Sequence, residues 1–207
     1  LNSNIVVGTV LPDLVKNANK AWNLYPQKNE AFANSNTALN EILIGWKRHL
    51  KVDLLFHSST FFTTQTAVLK QLLLPILIDS PVRPSFLAHI GLELVIDHLL
   101  VCEKKLDIKQ FYGHLNNIDD CLLDEFFRLS GLKETEKFFK FFNSFKTSEY
   151  LYSYEKPENI SYALQRICMR LWAHPFSEET VSLLTEKLQI FIKMIKKDYL
   201  SIFIEIE

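Results

Sequence analysis

Two stretches of the chain carry histidine and acidic side chains at four-residue intervals. They form two triplets, which are His49, Asp53 and His57, and His89, Glu93 and Asp97. Four residues of α-helix turn only about 40° beyond a full turn, so each triplet shares one helix face. Imidazole nitrogens and carboxylate oxygens are ligands that zinc, manganese, iron and nickel accept. The spacing therefore predicts that both segments bind a divalent metal.

The length of the first triplet indicates more than one ion. Four helical residues rise about 6 Å, so His49 and His57 lie about 12 Å apart on a straight helix. One ion with ligand bonds near 2 Å hardly reaches both, whereas Asp53 lies between them and could bridge two ions. A cluster of two or three ions stabilises the attacking and the leaving oxygens of a phosphoryl displacement. We therefore expect a metal-dependent hydrolase in which metal-activated water attacks a phosphate ester.

A non-catalytic interpretation of the same residues stays open. A lone histidine on an apolar helix is usually structural, and the two triplets could form a buried histidine–carboxylate network without metal. Burying so many charged groups without partners or metals would be costly, which favours the metal site. The alternative function is a helical binding protein whose inherited site is incomplete.

The elements that must position these residues are predicted to be helices. Glycine is scarce, with 5 residues, and the chain has 7 prolines, so turn signals are few and long helices are favoured. We expect an all-α, single-domain helical bundle over residues 1–207. A short helix is expected after Pro12, and the helices predicted from apolar spacing and breakers span 37–57, 63–77, 85–102, 107–129, 132–148, 158–173 and 177–204.

Composition restricts the partners and the compartment. The net charge of −1 and 23% charged residues give no sign of a nucleic-acid surface. Three dispersed cysteines suggest reduced thiols and a cytoplasmic location. The most apolar stretch, 86–101, is interrupted by charged residues and histidines, so we expect no transmembrane segment. Because the chain begins with Leu1 and not Met, its natural start, which could include a signal peptide, is expected to be missing.

Several motifs resemble those of the acyl carrier protein phosphodiesterases, from about residue 8 to 170. The matching stretches are Gly8-Thr-Val-Leu-Pro-Asp13-Leu-Val-Lys16, Gly45-x-x-x-His49-x-x-x-Asp53, Arg83, Gly91-Leu-Glu93-Leu-Val-Ile-Asp97-His98-Leu-Leu and, more weakly, Ala163-Leu-Gln-Arg166-x-x-x-Arg170. The resemblance implies a helical, metal-activated hydrolase that releases phosphopantetheine from holo acyl carrier protein. It also implies functional roles for the residues at the family's polar positions, which are Asp13, His49, Asp53, Asp97 and His98.

The chain departs from that family at three positions. The family tends to have an acidic or other polar residue where His57 stands, has Asp where Glu93 stands, and has no counterpart of His89. The order of acidic and histidine residues is also similar to that of bacterial zinc-dependent phospholipase C. A lipid is therefore a second candidate for the substrate of this chain. The helical spacing and the two resemblances taken together give the expected metal ligands, which are Asp13, His49, Asp53, His57, His89 and Glu93.

The remaining expected roles concern catalysis and substrate binding. Asp53 is expected to act in catalysis, and Asp97 either binds the metal or orients a catalytic His98. The predicted substrate-binding residues are Lys16, Arg166 and Arg170, whose cations suit a phosphate. A solvated lysine and surface ion pairs are the competing interpretations.

Overall fold

The computed structural model describes residues 2–33 and 36–206, and over these ranges the chain is helical without any β-strand. The all-α prediction is confirmed. The α-helices of the described chain are α1 (Ser3–Ala18), α2 (Thr37–Ser58), α3 (Thr60–Leu73), α4 (Pro84–Cys102), α5 (Ile108–Asn116), α6 (Asp120–Leu129), α7 (Glu136–Ser148), α8 (Pro157–Cys168), α9 (Glu178–Ile195) and α10 (Ser201–Glu205). Short 3₁₀ helices occupy Pro26–Lys28, Glu30–Ala33, Leu74–Ile76 and Tyr150–Glu155.

Helix α1 corrects the sequence prediction for the start of the chain. Only a short helix after Pro12 was expected there, but α1 runs over sixteen residues with Pro12 inside it. An internal proline costs a helix about 3 kcal/mol. Its apolar side chains, among them Val7, Leu11 and Val15, are almost completely buried, and their burial outweighs that cost.

The predicted helix over 107–129 is two helices. Asp107 accepts a hydrogen bond from the backbone N–H of Gln110 at the start of α5, and Asp119 accepts one from the backbone N–H of Cys121 at the start of α6. Each aspartate is therefore the N-cap of its own helix. The apolar periodicity continues across the break between them, which is why spacing alone joined the two helices.

The described residues form two compact units. The first contains the described residues within Leu1–Leu54 and Asp107–Tyr150, and the second those within Leu55–Leu106 and Leu151–Glu207. The single domain expected over 1–207 stays a prediction.

In the first unit, α1 packs against α5 and α7. Phe138 and Phe142 of α7 are fully buried, and Phe138 contacts Phe127 edge-on with ring centroids 4.4 Å apart.

Two glycines allow α1 and α2 to approach closely within the first unit. A methyl group added at Gly8 would lie 2.2 Å from the carbonyl oxygen of Ile42, and one at Gly45 would lie 2.2 Å from that of Ile5. Both obstacles are backbone atoms, which cannot rotate away. Gly8 and Gly45 therefore set the spacing at which Thr9 and Asp13 of α1 meet His49 of α2.

In the second unit, α4 is the most buried helix and packs against α3, α8 and α9. Pro84 occupies its first turn, after Arg83 at the N-cap position, where a missing N–H costs nothing. The expected cap, Ser85, lies inside the helix. Glu205 of α10 accepts hydrogen bonds from the backbone N–H groups of Thr60 and Phe61, so a carboxylate covers the positive end of α3.

Candidate functional site

Three of the predicted metal ligands meet in the second unit. His89 and Glu93 stand one turn apart on α4, and His57 comes from the last turn of α2. The carboxylate oxygen Oε1 of Glu93 lies 3.2 Å from Nε2 of His89 and 3.6 Å from Nε2 of His57. The two imidazole rings are stacked, with centroids 4.7 Å apart and planes 18° from parallel. We call these three residues the His–Glu triad.

A phenylalanine of α3 holds both imidazole rings in place. Phe62 is buried and meets each ring edge-on, with centroids 4.6 Å from His57 and 4.9 Å from His89. Phe56 also contacts His57 edge-on. Edge-to-face contacts of this kind are each worth about 0.5–1.5 kcal/mol, so the aromatic residues restrict the rotation of both rings. The histidine nitrogens are thereby oriented toward Glu93 before any ligand binds.

The triad has the donor set and the dimensions of a metal site. One ligand atom from each residue can be chosen so that all three lie within 4.8 Å of one another. Ligands around one ion with bonds of about 2.0–2.2 Å lie roughly 3–3.5 Å apart, so small side-chain rotations would bring these atoms into range. Two histidines and one glutamate are a set found in catalytic zinc sites, which keep a further coordination position for water or substrate.

The triad borders a cleft of about 820 Å³ in the second unit. His89 and Glu93 line it together with one cationic residue, one hydroxyl and a group of apolar side chains, which are Arg83, Ser85, Phe86, Ile90, Leu171 and Trp172. This volume is within the range of small-molecule sites. Among the predicted arginines, Arg166 and Arg170 are both exposed, and neither lines this cleft as far as the structure describes it.

The sequence analysis did not place Arg83 and Trp172 at this site. Arg83 was noted only as part of the family resemblance, because a residue before the helix carries no helical spacing to His89. Trp172 follows α8 and is far from the triad in sequence, so no pattern connects the two. Only the packing of α8 against α4 makes this connection.

Asp13, His49 and Asp53 gather around a smaller cleft in the first unit. This cleft has a volume of about 250 Å³ and is also lined by Lys16 and Trp46. Nδ1 of His49 donates a hydrogen bond of 2.9 Å to the carbonyl oxygen of Thr9, and Nε2 lies 3.8 Å from Oδ1 of Asp13. Because a carbonyl only accepts, Nδ1 carries a proton and the neutral ring presents Nε2 as the ligand atom. A backbone carbonyl behind the ring is the usual support of a metal-binding histidine.

The Lys16 side chain is hydrogen-bonded to nearby residues of the first unit. Its ammonium donates hydrogen bonds of 2.6 Å to Oδ1 of Asn23 and 3.4 Å to the carbonyl oxygen of Lys20. The phosphate-binding role expected for Lys16 stays a prediction. The convergence of all six expected ligands also stays a prediction, because three lie in the first unit and three in the second.

Asp97 and His98 lie on α4 but have different surroundings. Burial raises the pKa of the Asp97 carboxyl to about 6. His98 is buried, and its Nδ1 donates a hydrogen bond of 2.6 Å to the carbonyl oxygen of Tyr154. Five residues after Glu93, it points about 140° away around the helix, so the structure does not bring it to the triad. The catalytic roles expected for Asp97 and His98 stay predictions.

Comparison with known proteins gives no family for this chain. Neither a scan against models of known protein families nor searches of curated proteins and of solved structures found a match. The resemblances drawn from short motifs therefore stay predictions.

In the part of the chain that the structure describes, one helix is long and apolar enough to cross a membrane. This helix is α4, and half of its most apolar stretch is buried inside the protein. A core helix passes the same test of length and composition, so α4 is weak evidence of a membrane span. The expected absence of a transmembrane segment stays a prediction.

Proposed function

We propose that this protein is a metal-dependent hydrolase of phosphate esters, with His57, His89 and Glu93 as metal ligands. The observation that carries the proposal is the His–Glu triad itself. Glu93 lies within 3.6 Å of a nitrogen of both histidines, and aromatic contacts hold the two rings. The cleft beside the triad supplies the space that a substrate needs.

The chemistry divides between the ion and the protein. A divalent ion at such a site lowers the pKa of bound water toward 7 and neutralises charge on phosphoryl oxygens. The triad would hold the ion, and Phe62 would keep both histidine rings in the orientation that ligation needs. Arg83 would supply a second positive charge to the same cleft, suited to a phosphoryl oxygen by its planar donors.

We further propose that Asp13, His49 and Asp53 bind a second ion in the first unit, which would be zinc, manganese, iron or nickel. Support comes from the Thr9 carbonyl, which leaves Nε2 of His49 facing Asp13. The substrate is a phosphodiester. The phosphopantetheine arm of an acyl carrier protein and a phospholipid are the two candidates that the motif resemblances imply.

A second candidate function is non-catalytic ligand binding. The same short distances in the triad allow a different role for Glu93, because its carboxylate could pair with a protonated imidazole. A triad of this kind would hold the last turn of α2 against α4 within the second unit and need no ion. The two functions predict different metal contents and different rates of ester hydrolysis for the protein, so measuring both properties distinguishes them.

The test measures both properties on one preparation. Metal content is determined after zinc or manganese loading and dialysis, and hydrolysis of bis(p-nitrophenyl) phosphate is followed by absorbance. The wild type is compared with Glu93→Gln and with Glu125→Gln, which makes the same chemical change at an exposed position of α6. We expect wild type and Glu125→Gln to bind metal and hydrolyse the ester, and Glu93→Gln to do neither. A wild type that binds no metal and turns over no ester would support the non-catalytic function.

A further inference from the structure

The cleft beside the His–Glu triad has an apolar side built from two parts of the second unit. Phe86 of α4 and Trp172, which follows α8, meet edge-to-face with centroids 5.2 Å apart and planes 71° from parallel. Ile90 and Leu171 line the same cleft, and 46% of the Leu171 surface is exposed. We call Phe86, Ile90, Leu171 and Trp172 the apolar wall.

The backbone holds the apolar wall in place before a ligand arrives. The N–H groups of Leu171 and Trp172 both donate to the carbonyl oxygen of Cys168, each at 2.9 Å, which fixes the turn that carries these two side chains. Phe86 lies in the first turn of α4, a helix started by Pro84. A preorganised surface loses less conformational entropy on binding than a mobile one.

The polar residues of the cleft differ from the wall in what they can bind. Arg83 offers planar guanidinium donors that match the oxygens of a phosphate or phosphonate. His89 and Glu93 belong to the triad, which binds metal under the function proposed above. One cleft therefore combines groups for an anionic phosphoryl group with a surface for a hydrocarbon or aromatic group.

We propose that this cleft selects phosphoryl compounds whose organic group is apolar. Arg83 contacts the phosphoryl oxygens, and the apolar wall, to which Trp172 contributes its indole ring, contacts the organic group. The inference rests on the proposed function, because the triad would hold the ion to which the phosphoryl group binds.

The test measures binding, so that it does not depend on turnover. Protein loaded with zinc is titrated calorimetrically with methylphosphonate, hexylphosphonate and phenylphosphonate, which share the anionic head and differ in the organic group. We expect hexylphosphonate and phenylphosphonate to bind at least about tenfold more tightly than methylphosphonate, because burying two methylene groups already accounts for such a factor. The hexyl and phenyl arms distinguish a hydrocarbon chain from an aromatic group as the preferred substituent.

Variants test which residues of the cleft bind the phosphonate group and which bind the organic group. Trp172→Ala should reduce the preference to about threefold or less and leave methylphosphonate binding unchanged, and Trp172→Phe should keep most of the preference because it retains an aromatic ring. Arg83→Gln should lower the binding affinity of all three phosphonates by about the same factor. Arg128→Gln, which removes an exposed cation of α6 in the first unit, should change none of them.

The outcomes separate this inference from the proposed function. Equal binding of the three phosphonates, an undiminished preference in Trp172→Ala, or no binding at all would overturn the selectivity proposed here. Selective binding by a protein that hydrolyses no phosphodiester would support the inference and refute only the catalytic function. Hydrolysis of the phosphodiester without selective phosphonate binding would support the catalytic function and refute only the selectivity.

Discussion

Substituting Gly45 by alanine tests whether the close approach of α1 and α2 positions the histidine of the first unit. The added methyl group would lie 2.2 Å from the carbonyl oxygen of Ile5 and 2.7 Å from the backbone nitrogen of Thr9. Ordinary contact begins at 3.4 Å, so the two helices must separate by about 1 Å. No side-chain rotation can relieve the contact, because the obstructing atoms belong to the backbone.

The expected cost follows from two opposing effects. Overpacking typically costs about 1–3 kcal/mol and occasionally more, whereas alanine in place of glycine favours the helix by up to about 1 kcal/mol. Because this contact is with backbone, we expect the upper part of the range, and a net loss of about 2 kcal/mol in the free energy of unfolding. For a chain of this size that corresponds to a fall of roughly 4–8 °C in Tm.

The assay is thermal and urea unfolding followed by circular dichroism, with Gly113→Ala as the matched control. Gly113 lies in α5, in the same unit, and a methyl group there would meet nothing within 4 Å. This control should therefore be neutral or up to about 1 kcal/mol more stable. If Gly45→Ala is as stable as Gly113→Ala, the close approach of α1 and α2 does not constrain their spacing.

Three further predictions concern the acidic residues. Glu93→Gln should lower zinc affinity at least about 100-fold, measured by competition with a chelator, because even losing a residue that only supports a ligand costs about 10–100-fold; unchanged affinity would remove Glu93 from the site. Asp53→Ala should abolish phosphodiester hydrolysis and lower the bound metal while α2 keeps its helicity, and full activity would exclude Asp53 as a ligand. Asp97→Asn should stabilise the metal-free protein at pH 7 by up to about 3 kcal/mol, the equivalent of raising a carboxyl pKa from 3.8 to about 6. The wild type should lose that stability as the pH rises from about 4 through 6, since the folded state holds the proton more tightly than the unfolded state, and an equal pH dependence in Asp97→Asn would contradict this assignment.

Much of the secondary structure could be predicted because its signals are local. Helix α2 was expected over 37–57 and α4 over 85–102, within one residue of the observed ends at Ser58 and Pro84. Ser177 was expected at a helix start, and its hydroxyl does accept a hydrogen bond from the N–H of Thr180. The prediction was wrong at α1, where burial of apolar side chains overrides Pro12. That burial is a property of the packed protein and cannot be read from proline's local effect.

The sequence by itself determined which residues share a helix face. His89 and Glu93 lie one turn apart because the rise and turn of an α-helix are fixed, so their nearness follows from numbering alone. The tertiary structure decided which other residues lie beside His89 and Glu93. His57, Phe62, Arg83 and Trp172 reach this part of the second unit through the packing of separate segments, and many sequences with the same local spacing could pack otherwise. Helix periodicity is set by backbone geometry, whereas contact between elements depends on how apolar surfaces fit together.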